Sequence, residues 1–94
     1  MAEKRIGIGK KIAFYLASLR ASDEAPKLGD IMDALNLRTG TACGERLREY
    51  RQRHGVPITC DLRTYRYEMP MKQRREIRKT DEYRKWKRGF LTPM

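Results

Sequence analysis

The spacing of apolar residues changes from helical to alternating at Gly55, and that change limits the folds open to this chain. Before Gly55 the apolar positions recur every three or four residues, and from there to Met69 they alternate, so helices precede a β-hairpin. Ile8, Ile12, Leu16 and Leu19, with Phe14 and Tyr15 beside them, predict an amphipathic helix from about Lys10 to about Arg20. Gly7 and Gly9 interrupt the polar start, which predicts a loose N-terminus over residues 1–9. Leu28, Ile31, Met32 and Leu35 predict a second helix of about ten residues, entered through the ASDEAP loop, whose Pro26 suits a first helical turn. Asn36 tolerates a left-handed backbone and ends it, with Leu37 as the apolar residue of a tight corner.

A third helix is expected from about Thr41 to His54, capped by Thr41 or Thr39 and stopped by Gly55. Cys43, Leu47, Tyr50 and His54 recur at intervals of four, three and four, a spacing that places them on one buried stripe. The same rotation of about 100° per residue puts Thr41, Glu45, Arg48 and Gln52 on the opposite face, flanked by Gly44 and Arg51. Ile58 and Cys60, then Tyr65, Tyr67 and Met69, alternate as two strands around a tip at Asp61–Thr64, with Pro57 at the strand start. Tyr65 and Tyr67 are expected in or beside the core.

Residues 70–94 are rich in helix-forming Arg, Lys and Glu, and their sizeable apolar residues are Ile77, Tyr83, Trp86 and Phe90. Thr80 followed by Asp81 and Glu82 resembles a helix start, so two short helices are expected there. Tyr83, Trp86 and Phe90 form a stripe suited to docking on the domain, on a second copy or on another protein.

Charge narrows the partner. The 94 residues hold 22 Lys and Arg against 12 Asp and Glu, a formal net charge of +10, and such a surface attracts polyanions. The excess is uneven: 9 basic against 3 acidic residues follow Pro70, while 13 against 9 precede it. Charge alone leaves DNA, RNA, an anionic membrane and an acidic protein open. No apolar run approaches the roughly 20 residues of a membrane span, and no secretory leader is evident, which predicts a cytoplasmic protein and no membrane partner. Cys43 and Cys60 with a single His cannot assemble a zinc set, and the two thiols read as small core residues. No GxSxG, phosphate loop or paired carboxylate offers catalytic chemistry, and IGIGK at Ile6–Lys10 lacks the preceding strand and the glycine spacing of a phosphate-binding loop. Neither an enzyme nor a cofactor is expected.

Three helices followed by a hairpin is the winged-helix order, and from Lys27 to Met69 the chain resembles the winged helix-turn-helix DNA-binding family of small bacterial and phage regulators. The residues that carry the likeness are Ile31 and Leu35, Asn36 where the family often has Gly, Leu37, the helix from Thr41, the GVPI run at Gly55–Ile58 and the YRY at Tyr65–Tyr67. Met32 departs from it, at a position where the family usually has Ala or Gly, and Arg38-Thr39-Gly40 replaces a Ser-led start of the third helix. The resemblance implies an α+β, mainly α fold: a three-helix helix-turn-helix core and a two-stranded wing over residues 10–69, with a basic helical extension over 70–94.

It also implies a double-stranded DNA partner, a nucleoid-associated location and a role in transcription regulation. Thr39, Thr41, Glu45, Arg48 and Gln52 are then the base-reading candidates in the major groove. Arg38, Arg46, Arg51, Arg53, Lys72, Arg74 and Arg75 are the phosphate-contact candidates, and Arg63 and Arg66 serve the wing. Glu45 and Glu49 equally suit intrahelical pairs with neighbouring arginines. Two other readings stay open: a protein-interaction module on the same scaffold, and an RNA-binding protein.

Overall fold

A computed structural model describes residues 7–37 and 40–91, with only the backbone course described for 40–42, 90 and 91. Among the described residues it holds five helices and one two-stranded antiparallel sheet, an α+β, mainly helical architecture. The helices are α1 (Ile8–Ser18), α2 (Leu28–Leu35), α3 (Gly40–His54), α4 (Met71–Arg78) and α5 (Asp81–Leu91), and strands β1 (Thr59–Asp61) and β2 (Arg66–Glu68) lie between α3 and α4.

α1 is the central element. Ile12, Ala13, Phe14, Leu16 and Ala17 are all buried, a run too continuous for one stripe, and α2, α3 and α4 pack around it. Ile31 of α2, Cys43 and Leu47 of α3, Ile58, Met69, Ile77 of α4 and Tyr83 of α5 complete one core. The basic segment after Pro70 therefore contributes to the same core as the first three helices.

α1 also starts two residues earlier than its periodicity indicates. Gly9 lies inside the helix and is buried, because α3 crosses there: a Cβ on Gly9 would stand 2.6 Å from Tyr50 Cβ and 2.7 Å from the Arg46 carbonyl oxygen. The glycine that suggests a loose start is a point of contact between two helices.

α2 begins after Lys27, whose N–H donates to the Asp30 carboxylate (3.1 Å), so Pro26 falls just outside the first turn. It ends at Asn36 in the left-handed region (φ 56°), where the Leu37 N–H reaches back to the Met32 carbonyl (2.8 Å). Gly55 (φ 62°) closes α3.

β1 and β2 pair with Cys60 opposite Tyr67 and Asp61 opposite Arg66. The Asp61 carboxylate accepts the Arg63 N–H (2.8 Å) and its carbonyl accepts the Tyr65 N–H (2.6 Å), which tightens the tip. Tyr65 takes φ 57° there and is 65% exposed, so it is a turn residue and not the core residue that alternation suggests, while Tyr67 is half-buried against the core. The other edge of β2 is engaged as well: Lys27 bridges Arg66, and the Tyr67 N–H donates to the Pro26 carbonyl (2.8 Å).

Thr80 separates α4 from α5, its Oγ1 accepting the Tyr83 N–H (3.2 Å), with Asp81 and Glu82 in the first turn. Lys10 of α1 pairs with Glu82 (2.5 Å), and Phe14 meets the Tyr83 ring edge-on at 5.8 Å and the Trp86 ring at 5.7 Å. These aromatics are spent inside the chain. Tyr83 is buried and Trp86 half-buried, so of the three docking partners open to the stripe these two rings take the domain itself, and the Phe90 side chain lies outside the described residues.

Candidate nucleic-acid interface

The outward face of α3 is set by its inward one: burying Cys43 and Leu47 against α1 leaves Glu45, Arg48 and Gln52 exposed, with Gly44 and Arg51 half-buried beside them. This face and the hairpin enclose a groove of about 630 Å³, lined on one side by Arg48, Arg51 and Gln52 and on the other by Thr59, Cys60 and Leu62. Among the described residues no acidic side chain lines it. Its floor is apolar, and burial and then the neighbouring Cys60 raise the pKa of the Tyr67 hydroxyl above its ordinary value against a smaller opposing pull from Arg51. Burial likewise pushes the Cys43 thiol up, consistent with an inert core cysteine. Both cysteines are free.

The sequence candidates divide. Glu45, Arg48 and Gln52 share the exposed face, while Thr39, Arg38 and the side chain of Thr41 lie outside the described residues. Arg46 and Arg53 are exposed at the far edge of α3, and Arg46 faces Glu49 at 3.7 Å, an exposed pair of little energetic weight. His54 is exposed, its ring tilted by 45° against that of Tyr50 at 4.7 Å, so the inward stripe ends at Tyr50. The helix has turned away from the core by its last residue.

Lys72 and Arg75 are exposed on α4, but Arg74 is not a phosphate contact: it is 7% exposed and its guanidinium is spent on the protein. Nε donates to the Met69 carbonyl (2.6 Å), and Nη1 to the carbonyls of Leu19 (3.1 Å) and Arg20 (3.3 Å). Arg78, one turn on, donates to Ala17 (2.6 Å) and Leu19 (2.7 Å). The last turn of α1 holds no basic residue of its own, and α4 supplies the cations that its carbonyls and dipole favour. Periodicity along one helix carries no signal for such a contact with another.

Arg66 is also internal. It donates to the Ala25 carbonyl (2.5 Å) and pairs with Glu24 (3.0 Å), so of the two wing candidates only Arg63 stands exposed at the tip. The structure adds residues that sequence reasoning passed over. Arg20, Arg84, Lys87 and Arg88 come together at the opposite end of α1, and the three on α5 lie three and one residues apart on one helical face.

Comparison with protein-family models, with curated proteins and with solved structures returned no match for this chain. Among the described residues no helix is long and apolar enough to cross a membrane.

Proposed function

We propose that the chain is a double-stranded DNA-binding protein of the winged helix-turn-helix kind, a sequence-specific transcription regulator that reads the major groove with α3. The observation that carries this reading is the continuous surface from the exposed Arg48 and Gln52 of α3, across a groove without acidic lining among the described residues, to the hairpin that ends in Arg63. A helix fits the major groove of B-DNA, and a hairpin beside it falls on the adjacent backbone or minor groove. Arg48 suits guanine bidentately, Gln52 suits adenine, and Glu45 accepts from cytosine N4 while repelling misplaced phosphates. The left-handed Asn36 corner between α2 and α3 and the Lys27–Arg66 bridge behind the hairpin also support the arrangement.

Selection from a random duplex pool supplies the site on which to test it. Arg48→Ala is then expected to cost about 1–3 kcal/mol of binding and to relax preference at one base pair. Lys72→Ala is expected to weaken all sequences alike and to flatten the slope of log affinity against log salt by about 0.9. Equal losses for Arg48→Ala on selected and random duplexes would refute base reading.

One observation favours a second reading, docking on a protein: the hairpin tip presents Leu62 at 79% and Tyr65 at 65% exposure, the two large hydrophobic residues most open to solvent among the described residues. Under that reading no duplex is retained at about 100 mM salt, whatever its sequence.

A further inference from the structure

A second concentration of positive charge lies away from α3. Behind the C-terminal end of α1, a shallow basin of about 520 Å³ is walled by Arg20, Arg78, Arg84, Lys87 and Arg88, and Tyr83 contributes to its lining. Among the described residues no acidic side chain lines it. Asp81 meets Arg84 from outside the basin at 3.9 Å, across an exposed pair that solvent largely screens. Arg78 gives Nε and Nη2 to backbone carbonyls, so its position is fixed while its charge is left for an incoming anion. Lys87 is held over the Tyr83 ring, 5.9 Å from its centre.

Tyr83 belongs to the wall from which those cations project. It is 3% exposed, its ring packs edge-on against Phe14, and its hydroxyl is buried, closed to solvent. Like charges held close together repel one another. That repulsion falls if an anion rich in acceptor oxygens enters, and a phosphate fits arginine and lysine donors together.

We propose that this basin is a phosphate-binding site, held in place by the α4 clamp on α1 and separate from the α3 surface, none of whose residues lines it. Arg84, Lys87 and Arg88 supply the mobile cations, Lys87 resting over the Tyr83 ring, and Arg78, fixed by two backbone carbonyls, supplies the anchored one that distinguishes a site from a charged surface. The phosphate can come from a free phosphorylated anion or from a nucleic-acid backbone.

Trp86 is the single tryptophan, and its ring lies 5.9 Å from that of Tyr83, so intrinsic fluorescence of the full chain reports on the site. Inorganic tripolyphosphate, titrated at constant ionic strength, is expected to give a saturable change, with calorimetry as the parallel readout. The double variant Lys87→Ala/Arg88→Ala is expected to weaken binding at least tenfold. Tyr83→Phe is expected to leave both the affinity and the melting temperature unchanged, since the lost hydroxyl is buried from solvent and has no partner among the described residues. A non-saturating titration overturns the proposal, and so does an equal loss in Lys72→Ala/Arg75→Ala, whose exposed cations lie outside the basin. A short duplex that displaces tripolyphosphate, also in the Arg48→Ala background, assigns the phosphate to a nucleic-acid backbone; simultaneous binding of both assigns it to a free anion. The tripolyphosphate titration stands even if α3 reads no DNA, so the two readings fail separately.

Discussion

Arg74→Met is expected to lower the melting temperature by roughly 10–25 °C, the equivalent of about 3 kcal/mol in a domain of this size. Burying a guanidinium is expensive, and replacing a buried ion pair by apolar side chains is often neutral, so the sign of the effect needs an argument. Glu68, the carboxylate facing Arg74, is exposed and 4.0 Å away, so ion pairing is a minor part of what Arg74 does. Its main partners are backbone carbonyls, and these stay behind when the side chain is removed. The carbonyl of Leu19 keeps the Arg78 donor and that of Arg20 keeps the Asp23 N–H, but the carbonyl of buried Met69 is left without its Arg74 donor. A buried acceptor stranded in this way costs about 1–3 kcal/mol, and the unclamped end of α1 adds to it.

Arg75→Ala, on the exposed face of the same helix, is expected within about 0.5 kcal/mol of the unchanged protein. The two substitutions also separate a structural arginine from one proposed to contact phosphate. Arg75→Ala should alter the salt dependence of nucleic-acid binding and leave the melt alone, whereas Arg74→Met should do the reverse. Thermal melts followed by circular dichroism decide the matter, and an Arg74→Met protein that melts within about 3 °C of the parent, a shift worth well under 1 kcal/mol, removes the clamp. Because Arg74 and Arg78 share the Leu19 carbonyl, their double variant is expected to be non-additive.

What the sequence revealed and what it hid follow from the range of each interaction. Helix positions, the Asn36 corner, the hairpin and the break at Thr80 are local, written in spacing and in residues suited to particular backbone angles. Asn36 and Gly55 take the positive φ that their residue types tolerate. The outward face of α3 was legible for the same reason, since burial of Cys43 and Leu47 fixes where Arg48 and Gln52 must lie. The roles of the arginines were not. Arg66, Arg74 and Arg75 are indistinguishable as letters, and only the approach of distant carbonyls at Ala25 and Leu19 turns the first two inward. Tyr65 misled in the opposite direction: it stands at an alternating position, but the tip that Asp61 closes needs a left-handed residue there.

Gly9→Ala is the second large effect, and intrinsic propensity predicts the wrong sign for it. Alanine in place of glycine inside a helix contributes up to about 1 kcal/mol through propensity. At Gly9 the added methyl would stand 2.6 Å from Tyr50 Cβ and 2.7 Å from the Arg46 carbonyl oxygen, distances far inside van der Waals contact. Neither obstacle can swing aside, because one is a main-chain atom and the other is bonded directly to a Cα, so relief requires that α1 and α3 move apart. Separating two packed helices loosens Ile12, Leu16, Cys43 and Leu47, which are all buried. The net loss is expected at about 2 kcal/mol or more, and Gly9→Val is expected to exceed it.

Gly29 supplies the control. It lies in α2, where a Cβ would find nothing within 4 Å, so Gly29→Ala meets no obstacle and is expected to gain about 0.5–1 kcal/mol. Displacing α3 also moves Arg48 and Gln52 relative to the hairpin, so Gly9→Ala should narrow the affinity gap between a selected duplex and a random one even where the protein is still folded. Urea melts of the two alanine variants, side by side, settle the point: opposite shifts place the helix crossing at Gly9, and a Gly9→Ala protein as stable as Gly29→Ala means that α1 and α3 do not meet there.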